Sequence, residues 1–245
     1  MKSGRAADPF KWSGRAWLGP GLAVFAGRAG HQDWHHHQAH QIAIGLDGPV
    51  TVACPQSLHT DVAMFIPAGV RHRLNGGLIV SIYLDVLADE ARGLSPSGIP
   101  MPIAIAAPEA QRIADALSDS AEDVRDAVRK VLQMVDVLPA PDPRLARVGT
   151  AIHAGQVQRN ALAALVHLSP TRFSHWFVEQ TGLPLRSYAK WLRLSQAVQL
   201  LASGSSMTDA AHASGFSDSA HFSRTFRALL GIDPSSALAE VCLRD

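Results

Sequence analysis

Two stretches, HLSPTRFSHWFVEQTG at residues 167–182 and GFSDSAHFSRTFRALLG at residues 215–231, decide how this chain is read. Phe173 and Phe222, Phe177 and Phe226, and Gly182 and Gly231 are each 49 residues apart, so one unit is written twice. Each copy, led in by Leu162-Ala163 or Ala210-Ala211, reads as a short helix, a tight turn and a second helix with Phe at i and i+4 on its buried face. The turn signals differ. Gly215 suits a position of positive φ, whereas the first copy turns at His167-Leu168-Ser169, with Ser169 as N-cap and Pro170 at N1.

With Phe173, Trp176, Phe177 and Gln180 placed inward, Thr171, Ser174, His175 and Val178 form the opposite stripe. In the second copy Ser219, Ala220, Ser223, Arg224 and Arg227 face out. Such a small, polar or basic stripe can enter a major groove, about 12 Å wide, and offer donors to base edges and phosphates. One helix pair of this kind is equally well explained by ordinary packing with a solvated outer face, but two copies at fixed spacing argue against that. Between the copies, residues 184–202 carry Leu185, Tyr188, Ala189, Leu192 and Gln196 on helical spacing. At 1.5 Å per residue this run spans about 28 Å, comparable with the ~34 Å between successive major-groove faces on one side of a duplex. One chain can therefore read two adjacent turns.

The segment resembles the DNA-binding domain of AraC/XylS-type bacterial transcription regulators. The first half of the pattern is carried by Leu162-Ala163, Ser169, Phe173, Phe177, Gly182, Tyr188, Arg193-Leu194, Ala197 and Leu200-Leu201. The second half is carried by Ala211, Gly215-Phe216, Ser219, Phe222, Ser223-Arg224, Phe226, Gly231 and Pro234. The resemblance implies double-stranded DNA as partner, with Thr171, Ser174 and His175 reading one groove and Ser219, Ala220, Ser223 and Arg224 the next. His175 stands where the family often has a basic residue, which implies a different base preference. The family's Arg after the final Pro is missing from Ser235-Ser236-Ala237-Leu238-Ala239, which puts the terminal helix in question.

Composition agrees with a chain of two cores. The 245 residues are 47% hydrophobic, enough for two domains, and the net charge of +1 hides an asymmetry. Residues 1–142 hold 12 Lys+Arg against 15 Asp+Glu, a balance of −3, and residues 143–245 hold 10 against 6, a balance of +4. The basic half is the one with the repeat, and the modest excess implies a limited set of phosphate contacts. No apolar run approaches the ~20 residues of a membrane span and no secretory pattern opens the chain, so a cytoplasmic location is expected. Cys54 and Cys242 are too few for a disulfide framework or a cysteine zinc site.

Residues 1–20 read as a lead-in with one possible edge strand. From residue 21 to about residue 85, short apolar runs (Leu22 to Phe25, Gln41 to Leu46, Val50 to Ala53, Val62 to Ile66 and Leu78 to Leu84) alternate with Asp47-Gly48-Pro49, Pro67-Ala68-Gly69 and Asn75-Gly76-Gly77, the pattern of a small antiparallel barrel or sandwich. His31, His35, His36, His37 and His40 crowd into this region, with His72 further on. Strand parity lets His35, His37 and Gln41 project inward together and sends His36 and His40 outward. Arg71 and Arg73 alternate away from His72 towards the rim, and His59 stands alone.

The spacing of His35-x-His37, Gln41 and Gly48, then Pro67-x-Gly69-x-x-His72 followed by Asn75, resembles the two motifs of the cupins. Gln41 holds the place usual for Glu, and Asn75 comes one residue early. The resemblance implies that His35, His37, Gln41 and His72 converge inside a barrel, where three imidazoles and an amide oxygen could hold a divalent metal such as Zn, Ni or Fe. A metal-free effector pocket, and plain core or surface histidines, are the other readings of the same residues.

Gly93 to Pro108 is rich in proline and reads as a connector. Helical patterns follow at residues 108–117 and 121–137, the second with Val124, Val128, Val131, Leu132 and Val135 in an apolar stripe that either packs on the barrel or forms a homodimer interface. Pro139-Ala140-Pro141-Asp142-Pro143 makes a stiff linker. The chain thus reads as α+β: a cupin-like antiparallel β-barrel sensor at 1–92, a connector and helical segment at 93–142, and an all-α domain with two helix-turn-helix motifs at 143–245. The function expected is a sequence-specific transcriptional regulator, modulated by a small effector or metal, with no catalytic residues. The alternative is a metal-dependent cupin enzyme with an accessory helical domain, although no acid-base constellation accompanies the histidines.

Overall fold

The computed structural model describes residues 11–91, 94, 99–133 and 142–244. Residues 139–141 of the proposed linker, most of residues 92–98, and Val135 fall outside the described residues. The larger of two sheets contains β1 (Ser13–Gly19), β2 (Leu22–Arg28), β3 (Ala39–Gly45), β6 (Ala63–Ile66), β8 (Leu78–Asp85), β9 (Met101–Pro102) and β10 (Val241–Arg244), in the order β10-β1-β2-β8-β3-β6-β9. The smaller has β4 (Val50–Cys54) between β5 (Ser57–Asp61) and β7 (Arg73–Asn75). All five predicted runs are strands. The expected barrel is open, however: among the described residues the ladders run within two separate sheets. The chain leaves the large sheet at Asp47-Gly48-Pro49, where Pro49 has no N–H to extend the ladder, and β4 pairs only with β5 and β7.

Phe25, Ala43, Val50, Val52, Met64, Ile66, Leu74 and Ile79 fill the space between the sheets. The outer face of the large sheet is covered by α1 (Ala107–Ala116) and α2 (Ala121–Leu132), which place Ile113, Val124, Val128 and Val131 against Ile42, Ile44, Val80 and Ile82. Ser120 and Asp123 form a reciprocal capping box that fixes where α2 begins. Val124, Val128 and Val131 of the stripe weighed as a dimer interface are thus an inside surface, packed on the sheet. Coverage from both sides leaves every residue of β3 buried.

The remaining helices are α3 (Arg144–His153), α4 (Arg159–Leu165), α5 (Pro170–Thr181), α6 (Leu185–Ala202), α7 (Met207–Ala213), α8 (Ser219–Leu230) and α9 (Pro234–Glu240). They share one core, with Phe173, Phe177, Tyr188, Leu194, Phe222 and Phe226 at its centre, and that core also takes in Ala39 and Val86 from the β-structure. The doubted terminal helix α9 is present, its N-terminus capped by Asp233 accepting from the amides of Ser235 and Ser236. Past it, β10 joins β1 in parallel, Gly14 opposite Val241 and Trp17 opposite Arg244, so the end of the helical region is stitched to the edge of the large sheet. A buried hydrogen bond adds a second tie: the Tyr188 hydroxyl on α6 donates to the Asp85 carboxylate at the end of β8, 2.8 Å away.

Candidate DNA interface and histidine centre

The two helix pairs are α4–α5 and α7–α8. In each, the first helix ends in a Schellman motif: Leu168 N–H donates to Ala163 and His167 N–H to Ala164 in one copy, Phe216 N–H to Ala211 and Gly215 N–H to His212 in the other. That motif demands a left-handed residue. Gly215 supplies it at φ 77°, and His167 supplies it at φ 56°, the one non-glycine residue with positive φ among the described residues. His167 and Gly215 are 48 residues apart, as are the paired alanines before them, whereas the second helices keep the 49-residue period. The second turn is therefore one residue longer. Ser169 and Asp218 then cap α5 and α8 at equivalent positions, and Gly182 and Gly231 end them at φ 73° and 72°.

This scaffold presents Thr171, His175, Ala220 and Arg224 exposed, and Ser174, Ser219 and Ser223 half-buried. The hydroxyl of Ser174 donates to Pro170 O at 3.0 Å and that of Ser223 to Ser219 O at 2.8 Å, each to the carbonyl four residues back. Both serines therefore use their only proton within their own helix, leaving acceptor lone pairs alone for a ligand. Arg172 and His221, also exposed and 49 residues apart, sit beside these stripes and were absent from the sequence-based set. The repeat period could have flagged them, since both are long polar donors at one repeat position.

The histidines come together as the motif spacing implied. His35 and His72 exchange backbone hydrogen bonds at 3.1 and 2.9 Å, which sets their rings 4.3 Å apart, and the His37 ring lies 5.0 Å from that of His72. One ring nitrogen of each lies within 4.8 Å of the others. The Nδ1–H groups of His35, His37 and His72 donate to the carbonyls of Asp33, Ala39 and Val70, at 3.0, 2.8 and 2.9 Å. A carbonyl can only accept, so Nδ1 holds the proton and Nε2 is left as a bare lone pair on each neutral ring. Burial pushes the His35 imidazole down to about 3 and those of His37 and His72 below their ordinary value, so the rings stay neutral near pH 7.

His72 Nε2 is buried with no hydrogen-bond partner, the arrangement a ligand nitrogen would have. Gln41 Oε1 lies 2.9 Å from His37 Nε2, which brings two lone pairs face to face. Such a contact needs a shared cation, or else the amide turned over so that its NH2 donates to His37 and its oxygen accepts from the hydroxyls of Ser81 and Tyr83, 3.1 and 3.4 Å away. The donor set fits a borderline divalent ion, three imidazoles and one amide oxygen, with no thiolate and no carboxylate.

Two sequence expectations about neighbouring histidines separate here. His36 is exposed as expected, but His40 is buried: its Nδ1 accepts from Ala68 N–H at 3.2 Å, and its ring packs near Phe65. Parity does turn His40 away from the gap between the sheets, yet Phe65 and the Ala68 backbone pack on it there. Arg71 and Arg73 are exposed rim residues, as expected, and both guanidinium groups lie over Trp34.

The histidine centre is covered by the helical region. Trp191 on α6 is 6.2 Å from the His37 ring, and Gly231, the cap of α8, packs against His35. Asp33 binds the same helix, with Arg227 donating to its carboxylate through Nε and Nη2 at 2.8 and 2.7 Å.

A family model described as a helix-turn-helix domain matches residues 162–240. Over 231 residues the chain is 23% identical to the HTH-type transcriptional regulator NimR of Escherichia coli strain K12, covering 84% of this chain and 82% of that one. Residues 162–240 are thus a helix-turn-helix domain of the AraC type, and the likeness to a transcriptional regulator extends beyond them into the β-structure. Over 75 residues the chain is 43% identical to the HTH-type transcriptional activator RhaS of Escherichia coli strain SE11, a match spanning 30% of this chain and 27% of that activator. ToxT from Vibrio cholerae O395 shares the fold across both regions, with a TM-score of 0.56 at 11% identity over 95% of this chain and 98% of that one. A second ToxT structure, from strain SCE256 and bound to an unsaturated fatty acid, gives a TM-score of 0.55 at 10% identity over 94% of both chains.

Proposed function

We propose that this chain is an AraC-type regulator that binds a specific operator through Thr171, His175 and Arg224, with Ser174, Ser219, Ala220 and Ser223 setting the fit of the two recognition helices, and that a divalent metal at His35, His37, Gln41 and His72 modulates that binding. The observation that carries the metal reading is the set of three Nδ1–H groups held on backbone carbonyls together with the buried, unpartnered Nε2 of His72. Zn, Ni and Fe suit these ligands, and the ion would supply binding free energy that exists only while the rings converge. In this reading residues 1–92 sense, residues 93–142 brace the sheet and residues 143–245 read DNA. Occupancy acts by differential affinity for two arrangements of these parts.

A small organic effector is the second reading, favoured by the hydroxyls of Ser81 and Tyr83 beside Gln41 and by the fatty acid bound to ToxT. The test is elemental analysis of the purified chain, then zinc titration of wild type and His72→Ala. Stoichiometric zinc that His72→Ala abolishes supports the metal. Absence of binding, with DNA affinity unmoved by chelator, refutes it. Homodimerisation, which fits paired half-sites, is proposed through a surface other than the buried stripe of α2.

A further inference from the structure

The metal reading leaves open how occupancy would be felt at the DNA-reading helices, and Asp33 supplies a direct connection. Its carbonyl accepts from His35 Nδ1, its amide donates to Gly231 O at 2.7 Å, and its carboxylate takes the paired hydrogen bonds of Arg227. Gly231 has no room for a side chain: a Cβ there would lie 2.6 Å from Asp33 O and 2.7 Å from His35 Nδ1. One metal-facing histidine is thus wedged against the cap of the second recognition helix.

Resting on the metal reading, we propose that a divalent cation at His35, His37 and His72 fixes the docking of the second helix-turn-helix on the β-structure, and that this docking in return sets the cation affinity. One ring nitrogen of each histidine lies within 4.8 Å of the others, so a bound ion would hold the three rings in place, and His35, whose Nδ1–H donates to Asp33 O, would pass that constraint to the end of α8. Linkage makes the effect reciprocal, so whatever disturbs the α8 cap also weakens the ion.

The duplication provides an internal control. Gly182 caps α5 at φ 73°, as Gly231 caps α8 at φ 72°, but Gly182 is exposed. An alanine at either position meets the same left-handed strain, and only Gly231→Ala meets His35.

The experiment is a zinc titration of the full chain against a chromophoric chelator, with amide hydrogen exchange in zinc and in chelator. We expect one zinc per chain and its loss in His72→Ala. Gly231→Ala weakens zinc about 5-fold or more, whereas Gly182→Ala stays within about 2-fold. Zinc slows exchange at residues 227–232 of the wild type more than at residues 178–182; Leu183 is left out of the control because it packs against Gly69, whose amide donates to His37 O. Stoichiometric zinc with equal affinity in both glycine variants, or with unaltered exchange at residues 227–232, overturns the coupling and leaves the metal site standing. No stoichiometric zinc in the wild type overturns both. Should Gly231→Ala fail to fold, the exchange arm on the wild type decides the question alone.

Discussion

The two helix-turn-helix units share a plan and differ in what holds them. Both end their first helix in a Schellman turn, cap the second with a side-chain oxygen, tie a half-buried serine back to its own helix and close on a left-handed glycine. Beyond that glycine they diverge. Gly182 is exposed and Val178 faces solvent, whereas Gly231 presses on His35 and Arg227, at the repeat position of Val178, pairs with Asp33. The plan common to both suits the proposed DNA reading; the departures in the second copy tie it to the histidine centre, and under the proposed coupling they make it the regulated half.

The largest effects should respect the shared plan. Phe173 and Phe222 are both fully buried in one core, so Phe173→Ala and Phe222→Ala should each cost about 3–5 kcal/mol in urea unfolding. Two separate unfolding transitions, or costs differing by several kcal/mol, would mean that the copies do not share a core. Next comes Tyr188→Phe, which removes the hydrogen bond to the buried Asp85 carboxyl and should destabilise the chain by about 1–3 kcal/mol. Burial raises the Asp85 carboxyl above its ordinary range, while the amide of Leu87 still donates to it, so a loss near the lower end is expected.

On DNA the copies should differ by residue type. Arg224→Ala should lose about 1–3 kcal/mol on a selected operator, because an exposed guanidinium can bind a guanine edge in two places. Unchanged affinity in a binding titration would remove Arg224 from the readout. Ser174→Ala and Ser223→Ala should each lose less than about 1 kcal/mol, since both hydroxyl protons are already held by helix carbonyls. A serine loss equal to that of Arg224 would show that those internal bonds break on binding. Smallest is Arg227→Met: the pair with Asp33 is exposed, so stability should fall by no more than about 1 kcal/mol, and less at high salt.

The repeat was legible because a 49-residue period survives in side chains whose burial is obligatory. The histidine centre was legible because two motifs fix which residues meet. Other features lacked a local signal. The strand Val241–Arg244 is four residues long, and its partner is the strand at the opposite end of the chain. Ser57–Asp61 is mostly exposed and polar, so no hydrophobic alternation marks it as a strand. His40 obeys strand parity, but it packs by Phe65 and the Ala68 backbone, which no pattern within β3 encodes. The serine back-bonds depend on rotamer rather than spacing. The left-handed His167 hid because glycine, the usual signature of such a turn, is present in only one copy.

The most direct test of a two-groove reader governed by the histidine centre is selection of bound fragments from a genomic library by the full chain, in zinc and in chelator, with His72→Ala alongside. The account predicts an enriched site of two short half-motifs about one helical turn apart, with occupancy that changes between zinc and chelator for the wild type and not for His72→Ala. No enriched sequence, or a single half-motif bound identically in both conditions, would contradict it.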